Sequence, residues 1–596
     1  MNIWGVETPQ NFIKTMIHFV FTPMDRRYVF LKYDTELEYT ILKENLMPLL
    51  NQVDPICYLP AFKGDTFTQD FIWEYIQSSG NKIFYAPIGM WYPIWKYLKQ
   101  NGIPFDGLDE SIFKTKLEHS FEEIKNIIDS WGLSRQLRPY QYDAIYKILQ
   151  YKISLSELAT RAGKTLISYC IFRYAMTYLG IKKILMIVPS IDLVKQGFED
   201  FKEYGEFFNA ECIWSGGKVV QSSNITIATY QSLVNYLDPQ NKKYNPDFFN
   251  NYDCVFIDEA HRAKAASIKK IITQPFMKTT KLVFGMTGTV PKPFTIDAYT
   301  IHCLLGAKIQ TIKAAELMEQ GYLSPVKIYQ HHLHYTSNKL EQTKLWCKCA
   351  EYQLSDFIFT DAAKKDRVLL DNRKFLLAYE KILPNAFEQA RESIFKNNSL
   401  SETEKYLKYR TTLLPAIKSS TKANVLHNEI MMVHFMEKRI TYLIDILKEC
   451  PNNTLVLAQH TEYIKYIANE LRAVFPDRPI VEVYGSSKQR KYAKTIFKEN
   501  DNVIMVANYA IMGTGITLNN LCYGVLFESF KSDVINRQSI GRGLGLSDIK
   551  DTYILHDIVD VFDKKYATST LYNHGVERQN IYKEQQFPFE IINVNI

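Results

Sequence analysis

The sequence predicts an α/β fold with two parallel-sheet lobes, a helical insertion between them and a mixed N-terminal accessory domain. From Leu137 onward, short apolar runs alternate with longer amphipathic segments, which is the rhythm of parallel sheets. The strand candidates of the first lobe are KKILMIVP, NITIAT, CVFID and KLVFGMTG. Those of the second lobe are NTLVLAQ, NVIMVAN, YGVLFES and TYILHDIV. Between the two groups the β pattern disappears and helix-like segments take over.

Changes in this pattern set the expected domain boundaries. We expect an N-terminal accessory domain of unknown fold at 1–128, a first lobe at 129–330, a helical insertion at 331–430, a second lobe at 431–565 and a C-terminal tail at 566–596. Within the accessory domain, the stretch KIFYAPIGMWYPIWKYLKQNG predicts a strand, a loop and a helix.

Composition and charge restrict the class of protein. With 596 residues, 46% hydrophobic and 23% charged, the chain can bury several cores. Residues 1–130 carry 12 Lys+Arg against 17 Asp+Glu, a net −5, so residues 131–596 carry 59 against 47, a net +12. That excess suits a polyanion such as nucleic acid, although a mixed solvated surface gives similar totals. The nine cysteines include no C-x-x-C pair, and no run approaches the ~18 apolar residues of a membrane span. We therefore expect a cytoplasmic protein with reduced thiols and no membrane partner.

The stretch LATRAGKTL, Leu158 to Leu166, is similar to a phosphate-binding loop. The pattern G-x-x-x-x-G-K-[ST] would place a glycine where Leu158 stands. Gly163, Lys164 and Thr165 follow the weak strand ISLSEL and precede an apolar helix, so that backbone N–H groups and a helix N-terminus would face the phosphates. In such a loop the lysine reaches the β and γ phosphates and the threonine hydroxyl binds Mg²⁺. Alone, the stretch is as compatible with a chance GKT as with a nucleotide site.

Two adjacent carboxylates end an apolar strand about ninety residues later, in CVFIDEAH at 254–261. Asp258 is placed to hold Mg²⁺ through water, and Glu259 to orient and deprotonate the water that attacks the γ-phosphate. An acidic pair can also be a simple helix cap, but its position after a GKT loop favours the catalytic interpretation.

Further motifs follow in the order seen in superfamily 2 helicases, which the chain resembles over about residues 135–335 and 430–562. LRPYQYDAI resembles the adenine-recognition element, and VPSIDLVKQ and ATYQSL resemble the elements that contact the nucleic-acid backbone. TGT at 287–289 resembles the motif that couples hydrolysis to strand contact, and ANYAIMGTGITLNNL and NRQSIGRGLGL resemble the fifth and sixth motifs. The resemblance implies that both lobes are RecA-like, that ATP and Mg²⁺ are the cofactors and that nucleic acid is the partner.

The same resemblance implies individual roles. It assigns catalysis to Lys164, Asp258, Glu259, Gln538 and Arg542, and Mg²⁺ ligation to Thr165 and Asp258. It implies that Gln141 contacts the base and that the remaining nucleotide contacts come from Arg138, Thr160, Arg161, Ala162, Gly163, Lys164, Thr165, Gly513 and Gly515. Nucleic-acid contacts are implied at Pro189, Ser190, Thr229, Tyr230, Gln231, Gly485 and Ser486.

Two positions depart from the family pattern. Arg161 stands where the family usually has glycine, and Gly545 stands at the second arginine position of the sixth motif. Either Arg542 suffices as the arginine finger, or Arg537 contributes from a shifted register. Because an arginine finger can be worth about 10³–10⁵ in rate, we expect turnover that is slow or strongly dependent on nucleic acid.

Within superfamily 2, the chain resembles the phage UvsW-like branch-migration helicases most. The similarity lies in NYAIMGTGITLNNLCYGVLFESFKSDVINRQSIGRGLG, in YILHDIVD and in HFMEKRITYLIDILKECPNNTLVLAQHTEYIKYI. It implies a DNA helicase or translocase acting on forks or branched DNA, in the host cytoplasm if phage-encoded, with replication or recombination partners unknown. The alternatives are the motor subunit of a restriction or defence system, an RNA helicase, and a weakly active nucleic-acid clamp.

The expected helical insertion contains a basic run without acidic residues, KYLKYRTTLLPAIKSSTK at 405–422. Its charges include Lys405, Lys408 and Arg410, which we expect to contact DNA phosphates. A solvated helix face with a flexible basic turn is an alternative of similar weight.

Overall fold

A computed structural model describes most of the chain. The described residues are 16–21, 28–53, 68–76, 82–108, 113–213, 223–264, 266–272, 280–291, 295–335, 430, 433–434, 436–485, 487–509, 518, 520–530, 532–561 and 570–596. They form two compact units, Met1–Lys313 and Ala314–Ile596. Among the described residues, no helix combines the length and the apolar character needed to cross a membrane.

The N-terminal part of the first unit is a mixed sheet. Its strands are β1 (Ile17–Phe21), β2 (Tyr28–Tyr33), β5 (Trp73–Ile76), β6 (Lys82–Pro87) and β7 (Phe105–Asp106), in the order β5-β6-β2-β1-β7, with a separate pair β3 (Gln52–Val53) and β4 (Thr68–Gln69). Its helices are α1 (Glu36–Thr40), a π-helical turn Ile41–Leu46, α2 (Met47–Leu50) and α3 (Trp91–Gln100). β6, the 3₁₀ turn Ile88–Met90 and α3 confirm the predicted strand, loop and helix.

The rest of the first unit is a parallel sheet with helices. The strands are β8 (Ile153–Leu158), β9 (Ile184–Val188), β10 (Ala210–Ile213), β11 (Ile225–Thr229), β12 (Cys254–Asp258), β13 (Leu282–Thr287) and β14 (Lys308–Ile312), in the order β10-β11-β9-β12-β13-β8-β14. The helices are α4 (Phe121–Asp129), α5 (Pro139–Leu149), α6 (Lys164–Tyr178), α7 (Ile191–Tyr204), α8 (Tyr230–Val234), α9 (Ala266–Ile272) and α10 (Ile296–Leu305). All strand pairs are parallel, so the carboxyl ends of the strands share one edge.

The N-terminal sheet packs on helix α10 of the parallel-sheet part. Tyr299, on α10, belongs to the buried core of the N-terminal sheet, and its ring lies 5.4 Å from that of Phe71. A Cβ on Gly89 would lie 1.7 Å from the carbonyl oxygen of His302, so only glycine allows this approach. The two parts of the first unit therefore share an interior.

The second unit contains another seven-stranded parallel sheet. Its strands are β15 (Val326–His334), β16 (Thr454–Ala458), β17 (Ile480–Val483), β18 (Ile504–Asn508), β19 (Tyr523–Leu526), β20 (Tyr553–Val561) and β21 (Phe589–Asn595), in the order β17-β18-β16-β19-β20-β15-β21. The helices are α11 (Ala314–Glu319), α12 (Glu437–Lys448), α13 (Thr461–Val474), α14 (Ser487–Glu499), α15 (Asp533–Gly543) and α16 (Thr570–Glu584). The two parallel sheets and the mixed sheet confirm the predicted α/β class.

All eight predicted strands are present, and ISLSEL forms β8. The expected boundary at 330 falls inside β15, which pairs with β20 and β21 in the second sheet. The segment expected to be a tail, 566–596, supplies α16 and the edge strand β21. Of the expected helical insertion, only residues 331–335 and 430 belong to the described part of the chain, so the basic run at 405–422 lies outside it.

Candidate functional site

The loop between β8 and α6 turns tightly at the carboxyl edge of the first parallel sheet. Gly163 caps α6 with a φ of +81°, and a Cβ there would come within 2.2 Å of the Gln141 side-chain nitrogen. Leu158 is the last residue of β8 and is fully buried. It occupies the place of the missing first glycine, and as an extended strand residue it does not need glycine's conformational freedom. Arg161, in contrast, has a φ of +70°, a left-handed conformation that favours glycine.

The acidic pair lies at the end of β12 and meets the loop lysine. Lys164 Nζ lies 3.6 Å from Glu259 Oε1, and both side chains are largely buried. Glu259 has a φ of +50° and begins the turn into the 3₁₀ helix Ala260–Lys264. Its backbone N–H donates to Asp258 Oδ1 over 2.9 Å. The fold thus brings Lys164 close to the adjacent carboxylates Asp258 and Glu259, which lie about ninety residues further along the chain.

This arrangement leaves Asp258 in an unfavourable electrostatic environment. Burial, followed by the negative charge of Glu259, raises the pKa of Asp258 to about 6, although Lys164 opposes the shift. A cation placed beside such a carboxyl group stabilises its ionised form. The donor set at this edge, a carboxylate beside a lysine at a helix N-terminus, therefore fits a divalent cation and a phosphate together.

His261 links the acidic pair to the end of β13. Its Nδ1 lies 3.3 Å from Glu259 Oε2 and 2.9 Å from the Thr287 hydroxyl oxygen. The Thr287 hydroxyl donates to the Thr289 carbonyl and accepts from the Thr289 N–H, at 3.0 and 3.2 Å. Glu259 therefore lies between a lysine and a histidine. The sequence motifs assigned no role to His261. Its position two residues after Glu259 is the signal that could have identified it.

The start of α5 is hydrogen-bonded to the loop between β8 and α6. The Tyr140 hydroxyl and the Gln141 amide nitrogen both donate to the Ala162 carbonyl, at 2.9 and 3.0 Å. The Gln141 amide oxygen accepts from the Arg138 N–H at 2.8 Å. Gln141 is 4% exposed. In this structure, therefore, the residue expected to contact the base holds the loop, and the base contact stays a prediction.

A threonine also joins the loop to the TGT turn. A Cβ on Gly288 would lie 3.4 Å from the Thr160 hydroxyl oxygen, so the turn and the loop are neighbours. Thr165, on the first turn of α6, is half-buried, and its Mg²⁺ ligation stays a prediction.

The expected nucleic-acid contacts of the first unit follow β9 and β11 at the same edge of the sheet. Ser190 caps α7 by accepting from the Leu193 N–H at 3.3 Å, and Thr229 caps α8 in the same way from Ser232. Pro189 and Thr229 are both buried, whereas Tyr230 is half-buried and Gln231 is exposed. Side chains and helix N-termini at such an edge can bind a phosphate backbone, and the contacts stay predictions.

In the second unit, Gln538 and Arg542 lie on α15, where Gln538 is 6% exposed and Arg542 is half-buried. Arg537 is held by Asp533 and Glu584, at 2.7 and 2.5 Å, in a largely buried position. Both partners of Arg537 belong to the second unit, and the choice between Arg542 and Arg537 as the arginine finger stays a prediction.

Some of the remaining residues that the sequence analysis singled out belong to the described part of the chain, and others lie outside it. Gly545 is buried, and its carbonyl accepts from the Ser324 hydroxyl at 2.9 Å. Gly485 is exposed two residues after the end of β17, and its carbonyl accepts from Arg490 at 3.3 Å. The positions outside the described residues are Ser486, Gly513, Gly515, Lys405, Lys408 and Arg410.

Two parallel sheets, a tight loop whose lysine meets an acidic strand end, and a helix that carries Gln538 and Arg542 make this chain similar to superfamily 2 helicases. Residues 134–292 match the family described as type III restriction enzyme, res subunit. The chain is similar to the ATP-dependent DNA helicase uvsW of Enterobacteria phage T4, with 23% identity over 80% of this chain and 81% of that protein.

Two further similarities extend over much of the chain. The DNA 3'-5' translocase XPB2 of Sulfurisphaera tokodaii is 25% identical over 72% of this chain and 85% of the relative. The crystal structure of T4 UvsW aligns with 98% of this chain and 100% of its own, at 19% identity and a TM-score of 0.40.

Proposed function

We propose that this protein uses ATP hydrolysis to move along DNA and remodels forks or branched recombination intermediates. The observation that carries the ATPase assignment is the approach of Lys164 to Glu259, 3.6 Å apart at the shared edge of the sheet. Two relatives described as a DNA helicase and a DNA translocase support DNA as the track. The preference for branched DNA rests on the resemblance to the phage helicases.

In the proposed reaction, each side chain at this edge has a separate task. Lys164 compensates the charge of the β and γ phosphates, and Glu259 orients the attacking water and accepts its proton. His261, 3.3 Å from Glu259, fixes the orientation of that carboxylate. Thr165 and Asp258 would hold Mg²⁺. When bound, the metal ion supplies neutralisation of the phosphate oxygens. Arg542 is assigned to the γ-phosphate by the resemblance.

The contacts of Glu259 also support an order of events on nucleotide binding. Lys164 and His261 contact different oxygens of its carboxylate, at 3.6 and 3.3 Å. Bound phosphate would attract Lys164, while His261 would keep Glu259 in position beside the attacking water.

The test is ATPase activity measured in parallel with single-stranded DNA, duplex, a fork, a four-way junction and single-stranded RNA. We expect the fork or the junction to stimulate most. Lys164→Ala should lose turnover and weaken ATP binding, whereas Glu259→Gln should bind ATP without hydrolysing it. Glu199→Gln changes an exposed glutamate of α7 and should behave as the parent. Greatest stimulation by RNA would contradict the proposed substrate, and normal hydrolysis by Lys164→Ala would contradict the proposed site.

A second function, the motor of a restriction or defence system, is favoured by one observation. The matched family, over residues 134–292, is named for a restriction enzyme subunit. Such a motor would translocate on unbranched duplex and would show no preference for forks. Strong stimulation by long linear duplex, with no gain from a branch, would favour this alternative.

A further inference from the structure

Three side chains of the second unit converge outside the proposed ATPase residues. They are His434, which precedes α12, His460, which follows β16, and Glu528, which follows β19. One ligand atom from each lies within 4.8 Å of the other two. The parallel pairing of β16 and β19 places the last two at the same edge of the sheet.

Both imidazoles point at one carboxylate oxygen. His434 Nε2 lies 3.0 Å from Glu528 Oε1, and His460 Nδ1 contacts the same oxygen. Ligands of a tetrahedral zinc ion at bond lengths of about 2.0–2.2 Å lie roughly 3.4 Å apart. Small movements of the ring nitrogens would therefore admit an ion among the three atoms.

The second oxygen of the carboxylate is held by the backbone. Glu528 Oε2 accepts from the N–H groups of Gln459 and His460, at 2.7 and 3.2 Å. These bonds fix the plane of the carboxylate and direct Oε1 towards the imidazoles. Outer hydrogen bonds of this kind orient metal ligands in proteins.

The imidazole of His434 is also held in place. Its ring stacks on Tyr463 with centroids 3.9 Å apart and planes inclined by 18°. The Tyr463 hydroxyl accepts from Arg439, which is fully buried with Asp560. Packing therefore holds the His434 imidazole in place before any ion binds.

We propose that His434, His460 and Glu528 form a zinc site. Two imidazoles and one carboxylate are a donor set that proteins use for Zn²⁺, with a fourth position left for water. Imidazole suits Zn²⁺, whereas Mg²⁺ takes oxygen ligands, so this site differs in its metal from the proposed ATPase centre.

Access and placement suggest a structural role. The side chains of His434 and Glu528 are 3% and 1% exposed, whereas that of His460 is 35% exposed and is the route by which an ion could enter. The ion would join the segment at 433–434 to the ends of β16 and β19. Glu528 lies five residues before α15, the helix of Gln538 and Arg542, so the ion would also fix the chain that enters this helix.

The test is metal binding by the full chain, prepared without a histidine tag and stripped of metal with a chelator. One equivalent of Zn²⁺ is added, unbound ion is removed, and zinc per chain is measured. Replacement with Co²⁺ reports the geometry, because a four-coordinate site with nitrogen ligands gives a visible absorption band. We expect about one zinc per chain and such a band.

Variants separate this site from adventitious histidines. His460→Gln removes the accessible ligand, and we expect it to weaken retention at least about tenfold and to abolish the Co²⁺ band. His334→Gln is the matched control, because this histidine of the same unit contacts Asn593 and lies on β15. We expect it to bind metal as the parent does. No metal retained by the parent, or equal retention by the two variants, would overturn the proposal and leave the three residues as a hydrogen-bonded cluster.

Discussion

Replacing Asp258 with asparagine should stabilise the nucleotide-free protein while abolishing Mg²⁺-dependent turnover. Burial and the charge of Glu259 raise the pKa of Asp258 from 3.8 to about 6. A shift of about two units corresponds to roughly 3 kcal/mol of unfavourable free energy for the ionised form. Asparagine removes the charge and keeps an oxygen that can accept the Glu259 N–H, now 2.9 Å from Asp258 Oδ1. We therefore expect a gain in the free energy of unfolding of up to about 3 kcal/mol above pH 6.

The stability difference between Asp258→Asn and the parent should depend on pH. Because the pKa is higher in the folded state, the folded protein binds more protons than the unfolded protein between pH ~4 and ~6. The free energy of unfolding of the parent therefore falls as the pH rises through this window. Asparagine does not titrate, so the difference between variant and parent should be full above pH ~6 and should shrink towards pH ~4.

Urea unfolding followed by tryptophan fluorescence is the appropriate assay. Six of the seven tryptophans lie in residues 1–313, so the signal mainly reports the first unit, which contains Asp258. Asp253→Asn is a matched control before the same strand, since Asp253 accepts the N–H groups of Lys182 and Lys183 and gains nothing by losing its charge. The reasoning is refuted if Asp258→Asn is no more stable than the parent at pH 7.5, or if its advantage persists unchanged at pH 4.5.

Three other perturbations test separate parts of the molecule. His261→Ala should lower kcat about 10- to 100-fold with little change in the KM for ATP, because the histidine positions Glu259 and does not bind phosphate; an equal rise in KM would contradict this. Arg161→Gly should raise the free energy of unfolding by about 0.5–1 kcal/mol, because the relief of left-handed backbone strain exceeds the entropy cost of fixing glycine. Arg161→Ala keeps the strain and should not raise the free energy of unfolding. Alanine at the five basic residues of 405–422 should lower the salt slope of DNA binding by about one unit for each phosphate that the run neutralises in the parent, and equal slopes would assign the run to solvent.

The buried strands could be predicted because their sequences are continuous apolar runs. ILMIV of β9 and TLVLA of β16 are buried throughout, and such runs are recognisable without knowledge of their neighbours. β15, in contrast, reads VKIYQHHLH and was missed, although it pairs on both sides. Its buried Gln330 donates to Asp557, and His331 contacts His556, so polar partners distant in sequence replace apolar character.

The candidate ATPase site could be predicted in outline because parallel strands end at one edge. The order of motifs placed Lys164 and Glu259 at two such ends, and the structure brings them together. The role of His261 could not be predicted, because it depends on Thr287 at the end of another strand. The zinc-site residues were also missed, since each lies in a different segment and none forms a short ligand motif.

Strand β15 has a consequence for how the protein is made on the ribosome. Its two neighbours, β20 and β21, come from the far end of the chain. They emerge roughly 200 residues later, on the order of 10–40 s at typical rates of synthesis. During this interval β15 has neither of its partners, and its row of backbone donors and acceptors is open to incorrect pairing. The polar Gln330 and the three histidines would then act as protection, because a strand rich in such residues aggregates less readily than an apolar one before its partner strands are synthesised.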